Sequence, residues 1–392
     1  MNKSIILKKN EEKRLLNGHQ WIFSNEIKEI TGNPANGDII SLYSVSNKFL
    51  GKGFYNKNSL IAYRQLTSEN IEINFNLIKQ RIFDANDYRI NLYPERAAYR
   101  VINSESDYLP GLIIDRFGNN FSFQIFSLGM EKFKEDLIEL LKNDFNADLI
   151  VEKNDNNLRT LEGLEKFEHI SYAKENKDDY TFVQSIDGIK YKIDLVNGQK
   201  TGFYLDQAGN RIKIREYVKE NYNVLDLFCN EGGFALNAAL QKTAKITAVD
   251  ISETSLNTAK ENARLNSFSN IDFIADDVFE YLDKDKYTYD VIILDPPSFT
   301  KRKKNIDNAI SGYIELNKKC LDKIKRGGYL FTFSCSHHIS EEIFENIIVK
   351  SARLTKRKIQ IIDSGITSYD HPVLPQMEET KYLKSLVIRV VN

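Results

Sequence analysis

The stretch Val224-Leu225-Asp226-Leu227-Phe228-Cys229-Asn230-Glu231-Gly232-Gly233-Phe234 decides the fold of this chain. Its apolar beginning predicts a buried strand, its glycine pair predicts a tight loop, and the apolar spacing of residues 235–240 predicts a helix. A second apolar run, residues 246–249, stops on Asp250. A strand, a glycine loop, a helix and a second strand that ends on an acid are typical of one half of a nucleotide-binding βαβ unit.

The same loop indicates the ligand. Glycines let the backbone approach a ligand closely, and an acid placed like Asp250 can accept hydrogen bonds from both hydroxyls of an adenosine ribose. The loop has neither the Gly-x-Gly-x-x-Gly pattern of dinucleotide sites nor the Gly-Lys-Ser/Thr of a P-loop. A ribose-bearing ligand without a phosphate chain fits better, and we expect S-adenosylmethionine. The alternative is a doubly wound sheet whose glycines only tighten a turn.

Length and composition indicate a soluble globular protein of two or three domains. Of 392 residues, 42% are hydrophobic and 28% are charged, and the formal net charge is -1. No apolar run reaches the roughly 18 residues that span a bilayer, and the first residues do not resemble a signal peptide. Three scattered cysteines, Cys229, Cys320 and Cys335, predict reduced thiols in a cytoplasm and no metal site.

The changes in pattern along the chain predict three domains. Residues 1–72 have short alternating runs between turn clusters, which indicates a small β-barrel. Residues 73–190 mix helical and strand patterns, which indicates an α+β middle domain that is a scaffold or positions a substrate. From residue 191 to 392 strands and helices alternate, as a mostly parallel, doubly wound, Rossmann-like sheet requires.

Several elements are predicted more closely. Hydrophobic spacing predicts helices over residues 73–82, 131–141, 208–220, 253–266 and 312–325. Gly118-Asn119-Asn120, between two apolar runs, predicts a hairpin.

Residues 1–72 also carry more basic than acidic residues around their turns. This excess predicts either a solvated face or a surface that contacts phosphates. In the second case Trp21, Phe23 and Tyr55 are available to stack on bases, although most aromatic residues of this kind belong to a core.

Two polar stretches accompany the predicted cofactor loop. Residues 198–207, which include Phe203 and Gln207, are either the entry to a helix or a lid over the cofactor. Asp276-Asp277-Val278 closes the third predicted strand. A carboxylate there either accepts a hydrogen bond from an adenine amino group or caps a helix.

The motif Asp295-Pro296-Pro297-Ser298-Phe299 follows a strongly apolar run, residues 289–294. Ligands of open α/β sheets bind beyond the carboxyl ends of the strands, so this turn is expected beside the cofactor. The two prolines stiffen it, and it is suited to present carbonyl groups and a ring to a flat substrate. Lys301-Arg302-Lys303-Lys304 comes next and could hold phosphates at the mouth of the site.

The next strand leads into Ser334-Cys335-Ser336-His337-His338. Strand cysteines are often inert core residues, but a cysteine at the ligand-binding edge of a sheet is a candidate nucleophile. A thiolate suits addition to C6 of a pyrimidine. Cys229 and Cys320 are interpreted as packing residues.

These motifs together resemble one family, the class I S-adenosylmethionine-dependent large-subunit rRNA cytosine-C5 methyltransferases with an N-terminal PUA domain. Gly18-His19-Gln20-Trp21-Ile22-Phe23-Ser24 resembles the start of that PUA domain, and Asp107-Tyr108-Leu109-Pro110-Gly111-Leu112 resembles its middle domain. The resemblance covers nearly the whole chain. It implies RNA, most simply 23S rRNA, as the partner, and it suggests a homodimer.

The resemblance also implies a role for each matching position. Asp250 would hold the ribose, Asp277 and Val278 the adenine, and Gly232 and Gly233 the methionine part. Asp295 would bond the cytosine edge beside the cofactor, and Cys335 would be the nucleophile. The other residues expected at the cofactor are Asp226, Asn230, Ile251, Phe203 and Gln207. Those expected at the RNA are Pro296, Pro297, Ser298, Phe299, Lys301 and Arg302.

The implied chemistry begins when the Cys335 thiolate adds to C6 of an unstacked cytosine. C5 then takes the methyl group and loses its proton, and the thiol is eliminated. Other RNA cytosine-C5 methyltransferases carry a second cysteine where this chain has Ser298. Release of the adduct therefore needs another base.

Two alternatives stay open at this point. Asp-Pro-Pro turns also serve methylation of guanine N7 or of exocyclic amines, which needs no nucleophile, so Cys335 separates the two chemistries. The other alternative is a non-catalytic RNA-binding protein that keeps the fold, and the intact cofactor residues argue against it.

Overall fold

The computed structural model describes residues 3–198, 200–299, 305–365 and 367–392. The chain forms two compact units. The first contains the described residues of Met1–Gln184, Ile193–Leu205 and Tyr369–Thr380, and the second those of Ser185–Lys192, Asp206–Ser368 and Lys381–Asn392. The division into three domains at residues 72 and 190 stays a prediction. No helix within the described ranges is long and apolar enough to cross a membrane.

The described strands are β1 (Ser4–Leu7), β2 (Trp21–Phe23), β3 (Ile27–Thr31), β4 (Ile39–Tyr43), β5 (Phe49–Tyr55), β6 (Ile61–Thr67), β7 (Ala98–Asn103), β8 (Leu112–Phe117), β9 (Asn120–Ile125), β10 (Leu149–Lys153), β11 (Glu168–Ala173), β12 (Phe182–Ile186), β13 (Ile189–Ile193), β14 (Asn223–Leu227), β15 (Lys245–Asp250), β16 (Ile271–Ala275), β17 (Tyr289–Leu294), β18 (Ile324–Ser334), β19 (Ile359–Asp363) and β20 (Lys384–Val390).

The described α-helices are α1 (Glu12–Leu16), α2 (Phe75–Leu92), α3 (Leu128–Glu131), α4 (Lys134–Asn143), α5 (Asn157–Leu161), α6 (Ala208–Tyr217), α7 (Gly233–Ala238), α8 (Glu253–Leu265), α9 (Val278–Lys284), α10 (Ile306–Lys323) and α11 (Glu341–Thr355).

The first unit contains two sheets. A six-stranded sheet has the order β2-β6-β5-β4-β1-β3, and a five-stranded sheet has the order β11-β10-β9-β8-β7. One core cluster joins Phe54 and Leu66 of the first sheet to Ile82 of α2 and Ile114 of the second. A Cβ on Gly129 would lie 2.1 Å from the Phe54 ring, so glycine permits this close approach.

A buried ion-pair cluster adds to that shared core. The Arg64 guanidinium lies 3.1 Å from Glu105 and 3.0 Å from Glu162. The Trp21 indole donates to Glu105 over 2.9 Å, and Tyr55 lies in the core. Residues 1–72 thus pack and bond with later parts of the same unit, and two of the aromatic residues considered for base stacking are already engaged.

The second unit contains a seven-stranded sheet with the order β16-β15-β14-β17-β18-β20-β19. Its strands are parallel except β20, which runs antiparallel to both β18 and β19. The central strands β14 and β17 are apolar along most of their length because helices cover both faces. The predicted Rossmann-like, mostly parallel sheet is confirmed. A separate two-stranded sheet pairs β12 with β13.

Helix α2 continues ten residues beyond its predicted end at residue 82. Its last turns read as polar, yet they bury Ala85, Asn86 and Arg89. The Arg89 guanidinium forms a bidentate pair with Asp107, at 2.7 Å for both bonds. A buried arginine with a matched carboxylate does not show in a hydrophobic pattern, and this explains the short prediction.

The other predicted helices differ less. Helix α10 begins at Ile306, six residues before the predicted start, and β18 begins at Ile324, where the prediction still had helix. Helix α6 ends at Tyr217 and α4 begins at Lys134, each three residues inside its predicted bound. The predicted hairpin is formed by β8 and β9.

Candidate active site

The carboxyl ends of four neighbouring strands form the candidate site. In the order β15, β14, β17, β18 these ends carry Asp250, the loop of residues 228–232, Asp295 and Cys335. All four strands are parallel, so their carboxyl ends meet at one edge of the sheet. The structure therefore brings together the groups that the sequence indicated separately.

The loop after β14 has an unusual backbone. Phe228, Asn230 and Gly232 all have left-handed conformations, with φ of 61°, 47° and 82°. The Asn230 N–H donates to Asp250 Oδ2 over 2.9 Å, which holds the loop against the end of β15. A Cβ on Gly232 would lie 3.2 Å from the Ala259 Cβ. Glycine is therefore favoured at this position both by φ and by helix α8 beneath it.

Gly233 lies close to a side chain of the same unit, and its predicted place at the methionine part of the cofactor stays a prediction. A Cβ there would lie 3.0 Å from Arg211 Cδ. The close neighbour is a side chain of helix α6, so the space at Gly233 is filled by the protein itself.

Asp250 ends β15 half-buried, with both carboxylate oxygens engaged. Oδ2 accepts from Asn230 N, and Oδ1 accepts from Ser252 N over 2.9 Å. Each carboxylate oxygen can accept a second hydrogen bond, so a pair of ribose hydroxyls can still be bound. Ile251 follows with 71% of its surface exposed, which leaves an apolar side chain beside that position.

Asp226 lies beneath the loop and is completely buried. Its Oδ2 accepts from Ala235 N over 2.9 Å, at the beginning of helix α7, whereas Oδ1 has no hydrogen-bond partner among the described residues. Burial raises the pKa of Asp226 well above 3.8, and the charges of Asp295 and Asp250 raise it further against the effect of the Ala235 N–H.

This carboxylate group fits S-adenosylmethionine. Three acids interact around one glycine loop, and one buried oxygen is unsatisfied. A ligand with positive sulfonium and ammonium groups would offset that repulsion. Asp226, Asp250 and Asp295 are the residues that would face those charges and the ribose.

Asp277 is the N-cap of helix α9. Its Oδ1 accepts from Phe279 N and Glu280 N, over 2.9 and 3.1 Å, and Val278 is buried. Capping was the simpler of the two interpretations of this residue. A contact from its second oxygen, Oδ2, to an adenine amino group stays a prediction.

Gln207 bonds directly to the Asp295 carboxylate. Its Nε2 donates to Asp295 Oδ2 over 3.0 Å, and its Oε1 accepts from Asn210 over 2.7 Å. Gln207 therefore orients the acid that ends β17. Phe203 is buried in the first unit, and its predicted cofactor contact stays a prediction.

The Asp-Pro-Pro turn is tied to its neighbours. Pro296 is buried and Pro297 is exposed. Phe299 packs its ring against Tyr313, with centroids 4.7 Å apart, and against Gly312, where a Cβ would lie 3.3 Å from it. The ring thus supports the turn from below. Lys301 and Arg302 lie outside the described residues.

Hydroxyl groups connect the turn to the end of β18. Ser298 Oγ lies 3.0 Å from Ser336 Oγ, which lies 3.1 Å from the Tyr313 hydroxyl. Ser334 Oγ donates to the same tyrosine over 3.1 Å. Cys335 stands between the two serines, so the network holds both of its neighbours. Sequence reasoning missed Tyr313, because a tyrosine within an amphipathic helix carries no sign of a polar role.

The three cysteines differ in exposure. Cys229 and Cys320 are buried, and burial raises the pKa of each thiol. Asp226 and Asp250 add to the shift at Cys229. Cys335 is partly exposed. The packing interpretation of the first two agrees with their burial, and the predicted role of Cys335 as the nucleophile stays a prediction.

Lys384 is the second residue that sequence reasoning missed. It begins β20 opposite Ser334 of β18, and its Nζ donates to the Ser336 carbonyl over 2.7 Å. A lysine that opens an apolar strand was the available signal. Within the described ranges, no three or more His, Cys, Asp or Glu residues are arranged to hold a metal ion.

Two family models match the chain. One is described as a PUA-like domain and covers residues 5–68, and the other is described as a methyltransferase domain and covers residues 218–376. The match places a PUA-like domain at the N-terminus and a methyltransferase domain around the candidate site.

Solved structures share the fold of the whole chain. A Streptococcus mutans protein described as a candidate SAM-dependent methyltransferase has a TM-score of 0.83 at 23% identity, over 100% of both chains. Another candidate methyltransferase, solved in complex with SAH, has a TM-score of 0.84 at 23% identity, also over 100% of both chains.

A curated relative is more similar in sequence. Ribosomal RNA large subunit methyltransferase I of Aeromonas hydrophila is 36% identical over 99% of this chain and 100% of the relative. The protein of the same name from Shewanella denitrificans is 35% identical over 98% of this chain and 99% of the relative. The predicted methyltransferase class and its cofactor, S-adenosylmethionine, are confirmed. This chain belongs to the family of ribosomal RNA large subunit methyltransferase I.

Proposed function

We propose that this protein methylates C5 of a cytosine in large-subunit ribosomal RNA through a covalent bond between Cys335 and C6 of the base. The ribosomal substrate is suggested by the names of the relatives. The cytosine chemistry rests on one observation, a partly exposed Cys335 beside the Asp295 turn at the carboxyl edge of the sheet. Methylation of a guanine nitrogen or an exocyclic amine has no use for that thiol.

In this proposal each residue of the site has a distinct task. S-adenosylmethionine supplies an electrophilic methyl group. Cys335 adds as thiolate to C6, which makes C5 an enamine-like nucleophile. Asp295, held by Gln207, bonds the N3/N4 edge, and in its protonated form it donates a hydrogen bond to N3 and so stabilises the negative charge that develops there. After C5 is methylated it loses its proton, and the electrons of the S–C6 bond return to sulfur.

We also propose where the RNA and the cofactor lie. Asp250 and Ile251 hold the adenosine, with Asp277 and Val278 at the adenine. The Asp295 turn receives the unstacked base. The predicted phosphate contacts are Lys301 and Arg302 with residues of the PUA-like domain, and a homodimer is the proposed assembly.

Covalent trapping tests the nucleophile. RNA with 5-fluorocytosine at the target should form a complex with the wild-type protein that survives denaturation, because fluorine cannot leave as a proton. Cys335→Ala should bind S-adenosylhomocysteine normally yet form no complex and no product. Cys320→Ala is the matched control, since it removes a buried thiol from the same unit.

Methylation by Cys335→Ala at a near wild-type rate would refute the nucleophile. That result would favour guanine or exocyclic-amine methylation, for which positioning is sufficient. Nucleoside mass spectrometry of ribosomal RNA, from cells with and without the protein, would then identify the modified base directly.

A further inference from the structure

Lys384 is a buried lysine in the candidate site. The residue is 5% exposed, and its Nζ donates to two backbone carbonyls, of Ser336 and of Tyr382, over 2.7 Å each. Within the part of the chain that the structure describes, it forms no ion pair with a carboxylate. A buried ammonium group is costly unless its charge is balanced, and the two carbonyl groups accept two of its three possible hydrogen bonds without supplying a negative charge.

The position of Lys384 relates it to one residue in particular. Antiparallel pairing places it opposite Ser334, and its ammonium group reaches the carbonyl of Ser336. The strand pairing and this hydrogen bond involve the residues on either side of Cys335 in the chain. The ammonium group therefore lies at the carbonyl of the residue that follows Cys335.

The electrostatics agree with this placement. Burial lowers the pKa of Lys384 to about 8, while the negative charge of a Cys335 thiolate acts to raise it. Glu341 at the beginning of α11 also raises it, and Lys381 lowers it. Lys381 and Glu341 are themselves paired at 2.7 Å, so their effects on Lys384 oppose each other.

Among the described residues, other titratable groups near Cys335 are Tyr313 and Asp295, and two imidazoles, His337 and His338, follow it in the chain. The Tyr313 hydroxyl and the Asp295 carboxylate both interact with this region, and the charges of Cys335 and Asp295 raise the tyrosine pKa further after burial. A carboxylate disfavours a thiolate nearby, whereas a cation favours it. A buried ammonium group beside this segment would therefore act against the effect of Asp295 on Cys335.

We propose that Lys384 is a positioning residue whose ammonium group stabilises the Cys335 thiolate. Its catalytic consequence rests on the proposed cytosine methylation, but the ion pair itself does not. The thiol releases its proton to solvent, and the ammonium group keeps its own. When the S–C6 bond forms, the sulfur charge passes to the base, and when that bond breaks, the thiolate returns beside the same ammonium group.

The pH dependence of alkylation tests the ion pair. The rate at which iodoacetamide modifies Cys335 is measured by mass spectrometry of its peptide in the full-length protein, from about pH 5.5 to 9.5. The pH at which this rate rises half-way reports the ionisation of the thiol and is called the inflection. In Lys384→Met the inflection should move upward by about one pH unit or more, which corresponds to about ten-fold less thiolate at neutral pH. Lys384→Arg retains a cation and should stay near the wild-type inflection.

Controls separate this role from a purely structural one. Binding of S-adenosylhomocysteine and the melting temperature show whether each variant is folded. A purely structural role would change the amount of reactive protein but leave the inflection where it is. An unchanged inflection in folded Lys384→Met would overturn the proposal. If Lys384→Met fails to fold, Lys384→Arg and Lys384→Gln provide the same test. The inflection should stay at the wild-type pH in Lys384→Arg and move upward in Lys384→Gln, and an unchanged inflection in folded Lys384→Gln would overturn the proposal.

The trapping experiment distinguishes failure of the two proposals. If wild-type protein forms no complex with 5-fluorocytosine RNA while the inflection still shifts in Lys384→Met, cytosine methylation is refuted and the ion pair stands. If the complex forms at the same rate and with the same pH profile in both proteins, the nucleophile stands and the role of Lys384 is refuted.

Discussion

The hydroxyl groups of Ser298 and Ser336 lie 3.0 Å apart. This hydrogen bond joins the Asp-Pro-Pro turn after β17 to the segment after β18 that carries Cys335. This hydrogen bond therefore fixes the position of the turn relative to the segment that carries Cys335. In the proposed function the turn would receive the base and the thiol would attack it. Tyr313 anchors the same network from helix α10.

We expect Tyr313→Phe to loosen this connection. Loss of its hydroxyl leaves Ser334 and Ser336 with one hydrogen bond fewer each, which should lower the free energy of unfolding by about 1 kcal/mol. The rate of covalent trapping should fall while cofactor binding stays normal. Tyr281→Phe is a matched control, because its hydroxyl bonds Tyr289 at the opposite end of β17. Equal trapping rates in the two variants would contradict the prediction.

Asp250→Ala should weaken binding of S-adenosylhomocysteine by about 1.5–3 kcal/mol, the value of hydrogen bonds to a charged group. The carboxylate also holds the loop through Asn230 N, so part of the loss comes from the loop. Calorimetry measures the effect. Asp272→Ala, an exposed acid on the neighbouring strand β16, should bind normally. Comparable affinities for the two variants would exclude Asp250 from the site.

Gly232→Ala should destabilise the protein by about 1–2 kcal/mol, because an L-residue is strained at positive φ, and it should also weaken cofactor binding. Gly327→Ala controls for the strain alone. Gly327 has φ of 83°, close to the 82° of Gly232, but nothing lies within 4 Å of the position that a Cβ would take there. Chemical denaturation measures the loss of stability, and calorimetry measures cofactor binding. Equal cofactor affinity in the two variants would contradict the prediction.

The stability of the cofactor-free protein should depend on Asp226. Burial raises its pKa in the folded state above 3.8, so the unfolded chain loses that proton at lower pH. The stabilising contribution is complete below pH 3.8 and is lost as pH rises through the raised pKa. Asp226→Asn does not titrate and should gain in melting temperature, relative to wild type, as pH increases.

Thermal unfolding between about pH 5 and 8 measures that difference. Asp272→Asn, which changes an exposed acid, should show no such trend. A melting-temperature difference between Asp226→Asn and wild type that stays constant with pH would mean that Asp226 is ionised in the fold throughout this range.

The RNA role of residues 1–72 is best tested with substitutions, because buried pairs such as Arg64 with Glu105 join them to the rest of their unit. We expect Gln at the exposed lysines 9, 48 and 57 to lower RNA affinity and its salt dependence, by up to about 0.7 in slope per lost phosphate contact. Gln at the exposed lysines 166, 174 and 177 is the charge-matched control. Identical salt slopes for the two triple variants would count against a phosphate-contacting surface.

The mostly parallel sheet, and most of the candidate site residues at its carboxyl edge, could be predicted from the sequence. Apolar runs that end on Asp250 and Asp295, and a cysteine directly after β18, predicted which strand ends carry the candidate site residues. The structure brings these residues to one edge because parallel strands place their carboxyl ends together whatever their exact lengths. The helices were predicted less well where a polar pair is buried, as with Arg89 and Asp107 in the first unit, because a hydrophobic pattern does not register such a pair.

The local order of residues by itself indicated the glycine loop, the mostly parallel sheet and the candidate nucleophile, since each depends on neighbours in the chain. Only the tertiary structure decided what surrounds Cys335. Tyr313, Ser298 and Lys384 lie far from it along the chain, and β20 reaches β18 only by inserting antiparallel between β18 and β19. Charge and hydrogen bonding act through space, so the environment that governs this thiol exists only once the sheet is assembled.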